Sequence, residues 1–143
     1  MAAMQDPYHL ERFVQAQDKV FVEALGELRA GHKWGHWMWF IFPQMKGLGR
    51  SDMAQYYGIG SLEEASAYLR HPVLGPRLME CTQAVNAVQD RTAHEIFGFP
   101  DDMKFRSSMT LFARAAEDDT VFRAALNKYF GGEPDPLTME LLR

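Results

Sequence analysis

The stretch Asp6–Gly31, DPYHLERFVQAQDKVFVEALGELRAG, decides the fold. Asp6 followed by Pro7 reads as an N-cap with proline at the first helical position, where its missing N–H costs nothing. Leu10, Phe13, Val14, Gln17, Phe21, Leu25 and Leu28 then recur mostly at helical spacing, which draws one stripe down one face. Gly31 closes the stretch, since glycine accepts the left-handed backbone of a helix end. The stripe covers either one long helix or two with a break near Asp18.

The same punctuation runs outward from there. Ser51 opens a short helix through Tyr57, and Ser61 with Glu64 forms a capping box for a helix that ends near Arg70. Pro72 enforces that end, because it disfavours helical geometry at His71. Leu74, Leu78, Cys81, Val85 and Val88 make the next apolar set, and Thr92 with Glu95 boxes the short turn Ala93–Phe97. Pro100, Asp101 and Asp102 open a helix whose buried side carries Phe105, Met109, Phe112 and Ala116. Asp119 caps a helix holding Phe122, Leu126 and Tyr129, which Gly131 and Gly132 end; Asp135–Pro136 opens a last one that finishes at Leu141 and Leu142. No segment alternates with period two between hairpin turns, although Trp37–Phe42 reads equally as strand or buried helix. The expectation is an all-α chain, one domain over residues 1–143, of about eight short helices. So many Pro and Gly breaks favour an irregular, roughly orthogonal array over an up-down bundle.

Composition narrows the class. The chain has 143 residues, 47% hydrophobic and 24% charged, enough to bury roughly 68% of its unfolded surface. One cysteine, Cys81, precludes an internal disulfide and fits a reducing compartment. The first residues carry no basic region leading into an apolar run, so they do not read as a signal peptide. The densest apolar run, Trp37–Phe42, stops at Pro43, far short of a membrane span. These features predict a soluble, cytoplasmic protein without a membrane partner. A net charge of -4 and the absence of a basic stripe argue against nucleic acid.

Two segments carry candidate chemistry. In KWGHWMWFIFPQMKGLGRS, Lys33–Ser51, two glycines precede Arg50 and Ser51, so backbone N–H groups can converge where a helix begins. Arg50 adds a bidentate clamp for an anion, Trp37 or Trp39 a stacking face, and Gln44 an amide. The plainer account makes the tryptophans core and GLGRS a turn. It is not a Walker loop, lacking Gly-Lys-Ser/Thr at the required spacing, nor a dinucleotide fingerprint, since no strand precedes it. In PDDMKFRSSMTLF, Pro100–Phe112, Lys104 lies one helical turn from Ser107 and Ser108, with Thr110 beyond. These four either floor a phosphate or carboxylate pocket, or the hydroxyls bond back to helix carbonyls and tie down loops. His32 and His36 share a helical face only if helical, and Gly31 and Gly35 flank them, so no metal site is expected. Cys81 sits in an apolar stripe as a core residue, and Asp101 and Asp102 suit helix capping.

The segments HWMWFIFPQ, GLGRS, HPVLGPRL, IFGFPDDMKFRSSMTLF and YFGGEPDPLT, in that order, resemble the bacterial family called domain of unknown function 1810, over about residues 6–142. Its members are sometimes labelled calpastatin-like. The resemblance implies a compact all-α domain and brings no catalytic residues with it. The label does not transfer: such an inhibitor is expected to be polar and disordered until bound, whereas this chain has capped helices and a large apolar fraction. Two functions stay open. One is a module binding a phosphorylated or nucleotide-like anionic small molecule through Trp37, Trp39, Gln44, Arg50, Ser51, Lys104, Ser107, Ser108 and Thr110, with no reaction specified. The other is a protein-interaction or homodimerising module without a ligand.

Overall fold

The computed structural model describes residues 5–143, so the reading of Met1–Met4 lies outside the described residues. Among those, every regular element is a helix: α1 (Glu11–Asp18), α2 (Phe21–Ala30), α3 (Met38–Ile41), α4 (Asp52–Tyr56), α5 (Leu62–Arg70), α6 (Leu74–Ala87), α7 (Ala93–Phe97), α8 (Asp101–Ala115), α9 (Thr120–Phe130) and α10 (Pro136–Leu141). The expected elements are present. Two more arise because the first stripe breaks at Lys19–Val20 and because Trp37–Phe42 resolves into the single turn α3.

Helix ends follow local chemistry, with three corrections. Asp6 caps, but four residues early: its carboxylate accepts from Leu10 N (2.7 Å) and Glu11 N (3.0 Å), while Pro7 and Tyr8 form a turn ahead of α1. Ser61 accepts from Glu64 N, yet Glu64 turns its carboxylate to Gly60 N and Arg12, leaving the box open. Asp118 rather than Asp119 takes the first N–H of α9, from Thr120 (3.1 Å). Thr92 and Glu95 close a full box, and Gly31 and Gly131 end α2 and α9 with positive φ.

α8 runs through the centre, with α5, α7, α9 and α10 packed around it; α6 joins α2, α5 and α9. Phe105 and Phe112 of α8 are wholly buried, as are Phe13, Tyr68 and Phe122. Phe105 meets Phe42 edge-on at 5.0 Å and stacks on Phe97 at 4.8 Å. Burying each such side chain contributes up to about 3 kcal/mol relative to leaving it exposed, so the aromatic run of α3 is anchored by the helix that carries Lys104.

One buried polar network crosses this core. Arg12 Nε donates to Tyr56 O (2.8 Å), Nη1 to Tyr8 O (2.7 Å) and His9 O (2.8 Å), and Nη2 to Gly58 O (3.1 Å) and Glu64 Oε2 (3.0 Å). All the donors of the guanidinium are thereby engaged.

Candidate functional site

The aromatic segment is pinned before it reaches any pocket. Glu27 Oε1, on α2, accepts from Trp34 N (2.7 Å), Gly35 N (2.9 Å) and Trp37 Nε1 (3.0 Å). Burial pushes this carboxyl up, but those donors and the nearby Lys33 charge outweigh it and hold Glu27 below its ordinary value. Lys33 N donates to Ile96 O (2.8 Å), and its ammonium sits 2.9 Å from Asp101 Oδ2 and 5.0 Å from the Trp37 ring centre. Trp37 is therefore a core residue, held at its polar edge by Glu27.

The hydroxyls of α8 separate by role. Ser107 Oγ donates within reach of Met103 O and Asp135 Oδ2 (3.1 Å each). Thr110 Oγ1 donates to Arg106 O (2.9 Å) and accepts from Asp135 N (2.8 Å). Both tie the opening of α10 to α8, the loop-fastening role open to helical Ser and Thr. Ser108 is wholly buried, one turn beyond Lys104, and its hydroxyl meets no partner among the described residues.

Trp39, Gln44 and Lys104 do come together. With Met38, Phe42 and Tyr57 they line a recess of about 10 Å³, room for one water. The Lys104 ammonium lies 5.2 Å from the Trp39 ring centre and 3.7 Å from Asp101 Oδ1. Arg50 and Ser51 are exposed and do not line the recess; they lie on the loop 46–58, which reaches it through Ala54, Tyr57 and Gly58. Ser51 Oγ caps α4 by accepting from Ala54 N (3.1 Å), and Arg50 O accepts from Gln55 Nε2 (3.0 Å). The ends of that loop are joined by a single parallel bridge, with Lys46 N donating to Ile59 O (2.8 Å) and Ile59 N to Gln44 O (2.9 Å). Such an excursion with adjacent ends is an Ω-loop.

The nine residues named from sequence thus divide into three groups: Trp39, Gln44 and Lys104 at one recess; Arg50 and Ser51 on the loop beside it; Trp37, Ser107, Ser108 and Thr110 in the core. Asp101, read from sequence as a capping residue, binds two lysines instead. Nothing in local spacing signals that pairing with Lys33. Among the described residues no group of three His, Cys, Asp or Glu side chains is arranged to hold a metal ion, and no helix is long and apolar enough to cross a membrane.

A family model described as "Protein of unknown function (DUF1810)" matches residues 7–142. The chain is 60% identical to the conserved hypothetical protein Rv1873 from Mycobacterium tuberculosis. Its crystal structure aligns over 96% of this chain and 98% of that one, with a TM-score of 0.95. No curated protein matches the chain.

Proposed function

This chain belongs to the DUF1810 family, and we propose that it binds a small anionic ligand, phosphorylated or nucleotide-like, at the recess beside Trp39. The observation that carries this is the state of Lys104. Two lysines share one carboxylate at Asp101, which leaves one positive charge in excess in a chain whose net charge is -4. Lys33 is the tightly held partner, at 2.9 Å and 8% side-chain exposure, whereas Lys104 stands off at 3.7 Å. Lys104 is thus the cation free to turn toward an incoming anion. Trp39 is half-buried and offers a stacking face, and Gln44 a neutral amide for orientation. The recess has room for one water, so the ligand enters by taking the place of the Lys104 ammonium over the ring. Arg50 and Ser51, on the adjoining loop, supply a second charge and a hydroxyl; Trp37, Ser107, Ser108 and Thr110 form the support behind.

A thermal-shift screen with nucleotides and sugar phosphates tests this. A ligand at a hundredfold over its Kd adds about 2.7 kcal/mol, which raises the midpoint by roughly 5–11 °C for a chain of this length. Lys104→Ala and Gln44→Ala should remain folded and lose the part of the rise that this recess supplies; a rise that both keep in full comes from another site. A flat wild-type response across the screen overturns the proposal.

A second reading rests on a different observation. Trp34 and Phe99 are 75% and 76% exposed, and the loops carrying them are joined by the Lys33–Asp101 ion pair and fixed by Glu27. Rigid, exposed aromatic side chains suit anchors of a protein contact, including one between two copies of this chain. Sedimentation of wild type beside Trp34→Ala decides it. A dimer that the substitution dissociates supports the contact, and a monomer at every concentration removes the self-association.

A further inference from the structure

Next to the Trp39 recess, and meeting it at Gly58, lies a wider cleft of about 390 Å³, between the turn that enters α1 and the Ω-loop. His9 and Lys46 stand at its edge, the rings of Tyr8 and Tyr56 flank it, and the Arg12–Glu64 pair forms its floor. We propose that this cleft is a second binding site, independent of the recess, and that it takes the phosphate monoester of a small organic molecule.

Three observations lead there. The first is backbone strain. His9 has φ +54°, and only it and Asp90 have positive φ among the described non-glycine residues. The left-handed region is open to glycine at no steric cost and disfavours residues with a Cβ, so His9 holds it at some cost to the fold, although histidine enters it more readily than most side chains. Strain of this kind collects at ligand sites. The second is what the cleft has left to offer. A guanidinium is the planar fork suited to a carboxylate or a phosphate, but every donor of Arg12 is engaged by Tyr8, His9, Tyr56, Gly58 and Glu64, so the charge the cleft can offer is that of its other side chains. The side chains of His9 and Lys46 are exposed and make no hydrogen bond or ion pair with a described residue. An ammonium and an imidazole are compact donors that suit a tetrahedral oxyanion. The third is size. The cleft exceeds what inorganic phosphate fills and falls in the range of small-ligand pockets. The His9 and Tyr56 rings, edge-on at 6.2 Å, and the Tyr8 ring give the organic part of the ester an aromatic wall.

The test is a titration of ribose 5-phosphate into uniformly labelled protein, followed by NMR, with ribose as control. Saturable shifts are expected at His9, Lys46 and Tyr56, and none with ribose. Lys46→Ala should weaken binding by about tenfold or more, the loss of one charge-assisted contact. His9→Gly is the decisive variant: glycine relieves the strained backbone, so its melting temperature should equal or exceed that of wild type while binding is still lost. Lys104→Ala should bind ribose 5-phosphate as wild type does, which separates this cleft from the Trp39 recess. The proposal is overturned by an absence of saturable shifts at His9 and Lys46, by equal binding of ribose, or by wild-type affinity in His9→Gly.

Discussion

Lys33 and Lys104 approach opposite oxygens of the same carboxylate, at 2.9 Å and 3.7 Å from Asp101 Oδ2 and Oδ1, one from the aromatic loop and one from within α8. Removing the acid leaves the nearly buried Lys33 ammonium with only the Gly35 carbonyl and the Trp37 ring, whereas removing Lys33 leaves Asp101 with its other cation. Breaking one side of a buried pair costs several kcal/mol, so Asp101→Asn is expected to destabilise by about 2–3 kcal/mol and Lys33→Met by clearly less. Urea unfolding of the two variants checks the order. Equal losses would mean that Asp101 matters for the start of α8 rather than for the loop.

Stability should fall in acid through Glu27. Its carboxyl is held below its ordinary value of 4.5 in the folded chain. A depressed folded pKa gives stability that is complete above the unfolded value and is lost as pH falls through the folded one. Wild type should therefore lose stability below about pH 4.5 more steeply than Glu27→Gln, although the variant is weaker at pH 7. Parallel curves from pH 7 to pH 3 would remove Glu27 from the account.

Gly75 has no room for a side chain. A Cβ there would lie 2.2 Å from the Leu69 carbonyl oxygen, where the end of α5 meets the start of α6. Backbone cannot yield as a flexible side chain does, so Gly75→Ala should cost about 3 kcal/mol or more, in spite of alanine's better helix propensity. A melting temperature equal to wild type would show that α6 slides to make space.

Asp135 gathers the last helix. Its Oδ2 accepts from Ser107 Oγ (3.1 Å), Thr138 N (3.0 Å) and Thr138 Oγ1 (2.6 Å), all buried. Asp135→Ala leaves the two Thr138 donors unsatisfied, while Ser107 keeps Met103 O, and removes the cap of α10, at about 2 kcal/mol. Hydrogen exchange should accelerate first in residues 136–142, ahead of α8. Uniform acceleration would place the loss in the whole fold instead.

Cys81 should be inert to thiol reagents until the chain unfolds. It is buried in α6, and burial pushes its thiol up to about 12, so the reactive thiolate is scarce at neutral pH. The rate of labelling should track global unfolding across a denaturant series. Rapid labelling in buffer alone would reveal local opening of α6.

Much of this architecture was legible because helix ends are set by near neighbours. Ser51, Thr92 and Asp135 each cap the helix their spacing announces, and Gln17, placed in the first apolar stripe by periodicity, is buried with its amide on Phe40 O and Tyr68 Oη. What spacing did not reveal depends on partners far along the chain. Glu27 lies outside the apolar stripe and drew no reading from spacing, yet it organises Trp34, Gly35 and Trp37. Glu64 reads as half of a capping box and is instead the partner of Arg12. For the site, local chemistry brought Trp39, Gln44 and Lys104 into view but did not distinguish them from Trp37, Ser107 and Thr110. At helical spacing, a hydroxyl that ties down a loop and one that faces a ligand look the same.

The Arg12 network also carries a statement about time. Its bonds to Tyr56, Gly58 and Glu64 span 44, 46 and 52 residues of sequence, so the chain must close long loops before any of them is repaid. The Ω-loop holds only the five-residue helix α4 and is fastened by that guanidinium, one bridge and the packing of Tyr57 on Phe13 and Phe40. During refolding the segment 46–58 is therefore expected to acquire native order last, after α5, α6, α8 and α9 have assembled, and to be the first to open under native conditions. The two candidate sites that border it would then share one clock, each completed by the slowest part of the molecule.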